Sequence, residues 1–493
     1  SAYISAMKPS SLPVDGIKNQ RTIDKYLEVY AEPESKWATT ILEHIAPARW
    51  DYVVAIPACG EDEYLPGTLQ SIANCQAVRN KSKVLCIVVL NGNQAREEEF
   101  KASNEKMREW FAKHTMPVAS GLNADGTCPQ SLVSWQGIEI LIVDRSLESW
   151  LIPSDQGVGV VRKIGADIAL MLISAGKIAD LWIHNTDADA RVPNDYFLRT
   201  SKLPVASEDI TKEASCYIYP YQHIPDARMQ QKEHEIYWPA MTDYELWLRY
   251  YVAGLQWAGS SYAYPSIGSL LACHSLAYAR TRGFPKKMAG EDFYFQNKLA
   301  KMGAMINLKG KPIRLLTRPS SRVPFGTGQG TINISQLNQA GYQYEVYHPL
   351  VFDFLKGFLT AAGDWLLASA KTTAEKETDF HRALEKCLPA SVQKDIDPVR
   401  WLQNFIIELQ VFKNLEAAEK RSKSAEGALQ QFDDWFDGFR TLKLIHRLRD
   451  DLYGSLPLID ALQVSNFLHK RGQDNDHFNS REEWLKRLRS AVL

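Results

Sequence analysis

The chain has 493 residues, 45% of them hydrophobic and 23% charged, which is enough for two or three domains with cores of their own. A formal net charge of -1 provides no overall field to recruit nucleic acid or an anionic membrane. No uninterrupted apolar run reaches the roughly 18 residues that a membrane span needs, and the most apolar late stretch, 351–370, is broken by Asp353, Lys356 and Asp364 and reads as an amphipathic helix.

Residues 1–48 are polar, with helical stretches near 22–30 and 35–45, and read as an arm packed on the domain after it. The opening SAYISAMKPSS has no basic region followed by an apolar core, so no secretion signal is expected there. From Asp51 short apolar runs alternate with amphipathic helices. Residues 52–56 form a strand stopped by Pro57, and 64–74 a helix. A second strand, 83–90, ends at Asn91-Gly92-Asn93, and a charged helix covers 96–111. A third strand, 138–143, ends at Asp144; a helix comes next over 159–174, then a fourth strand over 181–184. Continuously apolar strands separated by helices predict an α/β fold with a mostly parallel sheet covered on both faces. Ligands of such sheets collect beyond the carboxyl ends of the strands. An aromatic-rich region occupies 202–275, and a helix 290–302. Residues 317–335, rich in Arg, Ser, Gly and Pro, read as a mobile loop, and the helical pattern from 345 onward as a separate domain. The predicted division is therefore 1–48, 49–344 and 345–493.

The seven cysteines, at 59, 75, 86, 128, 216, 273 and 387, are odd in number and contain no CxxC. A disulfide framework or a cysteine-rich zinc site is not expected, and a reducing cytoplasm fits them best.

Asp187-Ala188-Asp189 comes two residues after the fourth strand. Two carboxylates at i and i+2 on a tight turn can face one hard cation, and the small Ala188 leaves room for a ligand. Mg2+ or Mn2+ suits such oxygen ligands and usually shares them with substrate phosphates. The competing reading is helix capping by Asp189 or Asn194 ahead of a helix at 193–200.

The ordered set Ile56-Pro57 with Glu61, Asn91-Gly92, the 157–168 segment, Asp187-Ala188-Asp189 and Glu291-Asp292 resembles GT-A fold glycosyltransferases, most closely the inverting enzymes of family 2. The likeness covers residues 51 to about 310 and lies in the order of the set, since no single motif is specific. It implies a Rossmann-like catalytic domain that moves a sugar from a nucleotide diphosphate sugar to an acceptor hydroxyl, on a saccharide or a small molecule, with Mn2+ or Mg2+. In the resembled enzymes the first strand and its loop, here Pro57 to Glu61, hold the base. Asn91 stands where an acidic residue is usual, a departure that leaves the preferred base open; Asn-Gly is equally ordinary turn chemistry.

Gly157-Val-Gly159 invites a dinucleotide reading, but Arg162 replaces the third glycine and the segment precedes the fourth strand instead of opening the fold. The resemblance points this helix start at the donor diphosphate, with Arg162 and Lys163 as contacts; Lys163 paired with Asp167 on an exposed face is the alternative. Glu291 falls on the donor side, and Asp292 takes the position of the catalytic base. Acids in a first turn also favour the helix dipole, which accounts for that pair without any chemistry. Arg318 or Arg322 of the 317–335 loop reaches phosphate on closure. His274 and His348 are further metal candidates, and Trp238 and Tyr262 candidates for stacking an acceptor sugar.

The QxxRW motif of processive synthases is absent. A glycine- and Lys/Arg-rich phosphate loop of nucleotidyltransferase type is also missing; Cys59-Gly-Glu-Asp62 is acidic instead. A retaining transferase on the same fold, or a catalytically inactive nucleotide-sugar-binding scaffold, remains the alternative. A homo-oligomer built through the C-terminal helices stays open.

Overall fold

A computed structural model describes residues 14–36, 49–119, 128–201, 214–318, 326–368, 370–390, 396–469 and 480–490. The chain divides into two compact units, Ser1–Ala227 with Ser266–Gln329, and Arg228–Pro265 with Gly330–Leu493.

The first unit is a mixed α/β fold around one large sheet. Its strands are β1 (Tyr52–Ala58), β2 (Val84–Asn91), β3 (Met116–Ala119), β4 (Gln130–Trp135), β5 (Ile138–Arg145), β6 (Trp182–Asn185), β8 (Ala214–Ile218), β10 (Leu271–His274) and β11 (Ala304–Asn307), with β7 (Ala190–Arg191), β9 (Tyr221–Pro225) and β12 (Ile313–Thr317) in a smaller sheet. The large sheet runs β11-β8-β10-β6-β1-β2-β5-β4-β3. Its centre, β6-β1-β2-β5, is parallel, with antiparallel strands added on either side of that block. β2 is buried from Val84 to Leu90 and β6 throughout. β2 reads as an unbroken apolar run because burial on both faces leaves no need for alternation with polar residues, whereas β6 buries the polar His184 and Asn185 as well.

The strand β1 continues through Pro57 to Ala58 instead of stopping there. β6 pairs with β1 only as far as Ala55, so Pro57 sits where that edge is already unpaired and its missing N–H costs no ladder bond. The helix Val158–Ser174 packs against β1 and β2, and among the described residues of 14–36 the helix Val14–Val29 packs against it in turn. The expected helix at 35–45 lies largely outside the described residues, as does Arg322. Where 317–335 reads as a loop in the sequence, Thr327–Gln339 is a helix that buries Thr331, Ile334 and Ser335.

The second unit is helical. Leu350–Leu367 is its centre, burying Phe352, Phe354, Phe358, Ala362 and Trp365 against later helices. The 28-residue helix Gln231–Ala258 belongs to this unit, because Leu246, Tyr250 and Leu255 are part of the same core. Tyr250 donates to the carbonyl of Tyr347 at 2.7 Å, and Arg489 grips Glu245 with two bonds of 2.8 Å. The division by compactness thus differs from a cut at 344/345: a segment of the aromatic-rich region joins the C-terminal helices. Among the described residues no helix is long and apolar enough to cross a membrane, and no cysteine is in a disulfide.

Candidate active site

Strand order reverses between β1 and β6: the chain leaves β1 toward β2 and β5 on one side, while β6 lies on the other. A crevice opens outside the carboxyl ends at such a point. The Asp187–Asp189 turn is built there. The amide of Thr186 donates to the carbonyl of Ala55 at 3.1 Å, and the turn closes through Ala190 N–H to the carbonyl of Asp187 at 3.2 Å. Ala188 is buried, and Thr68 Oγ1 lies 2.6 Å from its carbonyl and 2.8 Å from that of Ala190, which pins the turn to the helix Leu65–Ala73. Both aspartate side chains remain partly exposed. The helix expected at 193–200 is only Leu198–Ser201, too late for Asp189 or Asn194 to cap it; Asn194 instead accepts from Arg79 at 2.6 Å.

Each aspartate is held by an arginine that also holds a second acid. Arg162 donates from Nη2 to Asp187 Oδ1 at 2.7 Å and from Nε to Glu291 Oε1 at 2.8 Å. Arg318 donates from Nη2 to Glu61 Oε1 at 2.6 Å and from Nε to Asp189 Oδ2 at 2.9 Å, with its guanidinium 4.2 Å over the Tyr64 ring. Burial works against the charge of both arginines, but the adjacent carboxylates outweigh it and hold both above the usual arginine range. Both are charged at any working pH. Arg162 lies on the second turn of its helix, and Gly268 makes its position possible: a Cβ there would lie 2.6 Å from Arg162 Nη2.

Glu291 and Asp292 open the helix Glu291–Leu299 after Gly290, whose φ of 71° is the left-handed conformation glycine tolerates. Glu291 is buried and faces Arg162. Asp292 is half-buried and accepts from the Phe293 N–H at 2.7 Å. Desolvation, then the neighbouring Glu291 charge, push its carboxyl up to about 7 against the opposing pull of Arg162. A carboxyl shifted toward neutrality can take up a proton at working pH.

The structure therefore brings together Glu61, Arg162, Asp187, Asp189, Glu291, Asp292 and Arg318. It does not bring Lys163. That ammonium points the other way, donating to Tyr26 Oη at 2.8 Å, the Tyr30 carbonyl at 2.8 Å and Asp167 Oδ2 at 2.7 Å. The i, i+4 pair with Asp167 exists, but it is buried, not surface-exposed. Asn91 ends β2 and spends its amide nitrogen on the carbonyls of Ala58 at 3.0 Å and Val89 at 3.2 Å, tying β2 to the end of β1. Pro57 lies in β1 ahead of Glu61.

The start of the Val158–Ser174 helix is not open to an anion as expected. The backbone of 285–288 lies across it: Gly159 N–H donates to the Lys287 carbonyl at 3.2 Å, and a Cβ on Gly159 would come 2.2 Å from the Pro285 carbonyl oxygen. The two glycines of the false dinucleotide signature serve this backbone crossing. His274 caps its own helix through Nδ1, and His348 accepts from Leu350 N–H at 3.2 Å in the second unit. Tyr262 donates to the Asp433 carbonyl at 3.0 Å, and Trp238 lines a cavity of about 460 Å³ with Thr242, Lys486 and Arg489; both belong to the second unit. Gly268, Tyr64 and Thr68 carried no sequence signal, since their contributions come from contacts distant in the chain.

Among the described residues no cluster of three or more His, Cys, Asp or Glu is arranged to hold a metal. The partly exposed acid pair on the Asp187–Asp189 turn fits an ion of the Mg2+ or Mn2+ kind that takes one or two carboxylates and completes its shell with phosphate and water. It does not fit an ion caged by protein alone.

No family model and no curated protein matches the chain. Among solved structures it is similar to S. aureus TarS 1-349 in complex with UDP-GlcNAc, at 9% identity over 81% of this chain and 92% of that one, with a TM-score of 0.33. It is also similar to the mannosyltransferase PcManGT from Pyrobaculum calidifontis in complex with GDP-Man and Mn2+, at 13% identity over 84% of this chain and 96% of that one, with a TM-score of 0.30.

Proposed function

We propose that this chain transfers a sugar from a nucleotide diphosphate sugar to an acceptor hydroxyl, with inversion at the anomeric carbon. The observation that carries the reading is the meeting of the Arg162–Glu291 pair, the Asp187–Asp189 turn and the half-buried Asp292 at the strand-order reversal, with burial and the adjacent Glu291 pushing the Asp292 carboxyl upward. Glu61 lies on the β1 side, where a base or ribose can be hydrogen-bonded. Asp187 and Asp189 supply oxygen ligands for Mn2+ or Mg2+, which when bound neutralises charge on the leaving diphosphate. Arg162 and Arg318 add charge-assisted donors for the same phosphates. Asp292 takes the acceptor hydroxyl's proton as that oxygen attacks the anomeric carbon and the bond from that carbon to the diphosphate oxygen breaks.

The test is Asp292→Asn. Transfer from UDP- or GDP-sugars should fall by about 10²-fold or more while nucleotide affinity stays within about twofold. Transfer at the unmodified rate would remove Asp292 from the chemistry. The anomer of the product separates inversion from retention.

A further inference from the structure

We propose that Arg162 and Arg318 are exchangeable counter-ions of the paired acids, each releasing its aspartate for a phosphate of the incoming donor, so that divalent ion and nucleoside diphosphate bind as mutually dependent partners. The proposal rests on the reading of the Asp187–Asp189 turn as a donor site.

The two arginines are used alike. Each bridges one aspartate of the turn to one glutamate from a distant part of the chain: Arg162 joins Asp187 to Glu291, and Arg318 joins Asp189 to Glu61. On both sides the glutamate is the buried partner and the aspartate the accessible one. Glu291 and Glu61 side chains are each 5% exposed, against 31% for Asp187 and 21% for Asp189. A guanidinium anchored at its buried end can let go of its wetter end at the smaller cost. Arg162 also keeps one donor in reserve, since Nη1 is buried and meets no partner among the described residues. An unused N–H of a planar fork suits a phosphate oxygen.

A divalent ion arriving alone would meet carboxylates already in contact with two fixed positive charges. A diphosphate arriving alone would meet the carboxylates of Glu61, Asp187, Asp189 and Glu291, with Asp292 beside them, balanced by only two guanidiniums. Together each removes the other's obstacle: phosphate oxygens draw the guanidiniums off, and the ion takes the vacated aspartates. Linkage requires the dependence to be equal in both directions.

The experiment is a calorimetric titration of the full chain with MnCl2 alone, with UDP or GDP alone, and with each in the presence of the other, backed by spin-resonance counting of unbound Mn2+. Nucleotide should tighten Mn2+ binding by about tenfold or more, and Mn2+ should tighten nucleotide by the same factor. In Arg318→Gln, Mn2+ alone should bind more tightly than in the unmodified protein, and the mutual factor should shrink. Gly268→Ala keeps every charge but pushes the Arg162 guanidinium aside, and should shift Mn2+ binding in the same direction. Equal Mn2+ affinity with and without bound nucleotide would overturn the proposal, as would Arg318→Gln and Gly268→Ala variants that fold but bind Mn2+ no better. If neither nucleotide binds at all, the donor reading fails, and the Mn2+-only comparison among the three proteins still decides whether the arginines block the acids.

Discussion

Lys163 separates a structural role from a donor-binding one, because the two make opposite predictions. Asp167 is fully buried and accepts four hydrogen bonds: Tyr26 Oη at 2.6 Å and Tyr278 Oη at 2.7 Å on Oδ1, and Lys163 Nζ at 2.7 Å and Glu32 N–H at 2.7 Å on Oδ2. Lys163→Met leaves that buried carboxylate without the cation beside it. Asp167→Asn turns an amide N–H₂ toward groups that themselves donate. Breaking a buried ion pair by removing one partner costs about 3–5 kcal/mol. At about 2–4 °C per kcal/mol for a domain of this order, each variant should melt about 6–20 °C lower. The double variant should lose less than the sum of the singles, with a coupling of about 0.5–3 kcal/mol. Thermal and urea unfolding measure the loss, and calorimetry with UDP and GDP measures the site. Nucleotide affinity of folded Lys163→Met should stay within about twofold, since none of the cation's partners belongs to the Asp187–Asp189 site. A Lys163→Met protein that melts normally but binds nucleotide far more weakly would refute this assignment.

The same geometry dictates further outcomes. Because Asp292 must be ionised to accept a proton and its carboxyl is raised to about 7, kcat/KM should climb with pH through about 7 and level off above it; a profile already flat in mild acid would exclude it as the base. Gly159→Ala places a Cβ 2.2 Å from the Pro285 carbonyl oxygen, so the crossing backbone must move, at about 1–3 kcal/mol read by urea unfolding. Asn91→Ala should cost about 1–2 kcal/mol through the lost ties to Ala58 and Val89, and should leave the ratio of UDP to GDP affinity unchanged in parallel titrations.

The strands and helices that frame the site were legible because burial on both faces writes itself as uninterrupted apolar runs. The predicted strand at 83–90 is β2, Val84–Asn91, and the predicted helix at 159–174 is Val158–Ser174. The acids were legible as well, because Asp187 and Asp189 come directly after a buried strand, at the sheet end where ligands of this fold class collect. What was not legible depends on distant contacts. Nothing local distinguishes Arg162 from Lys163, yet one step along the helix turns the first toward Asp187 and the second toward Tyr26 and Asp167. The helix Thr327–Gln339 was hidden by glycine-rich composition. The strands β8 to β12 are not legible because each is only four or five residues long, too short to show a period, and Gln231–Ala258 gives no sign that its apolar face belongs with residues far later in the chain.

Thermal shift against a panel of UDP- and GDP-sugars, with and without Mn2+, bears most directly on the function, comparing the unmodified chain with Asp187→Ala/Asp189→Ala. A ligand that binds the native state raises the melting temperature by mass action. At least one sugar nucleotide should stabilise the unmodified chain more with Mn2+ than without, and that increment should vanish in the double variant. No shift with any sugar nucleotide, or an identical Mn2+-dependent shift in both proteins, would contradict a donor site at the Asp187–Asp189 turn.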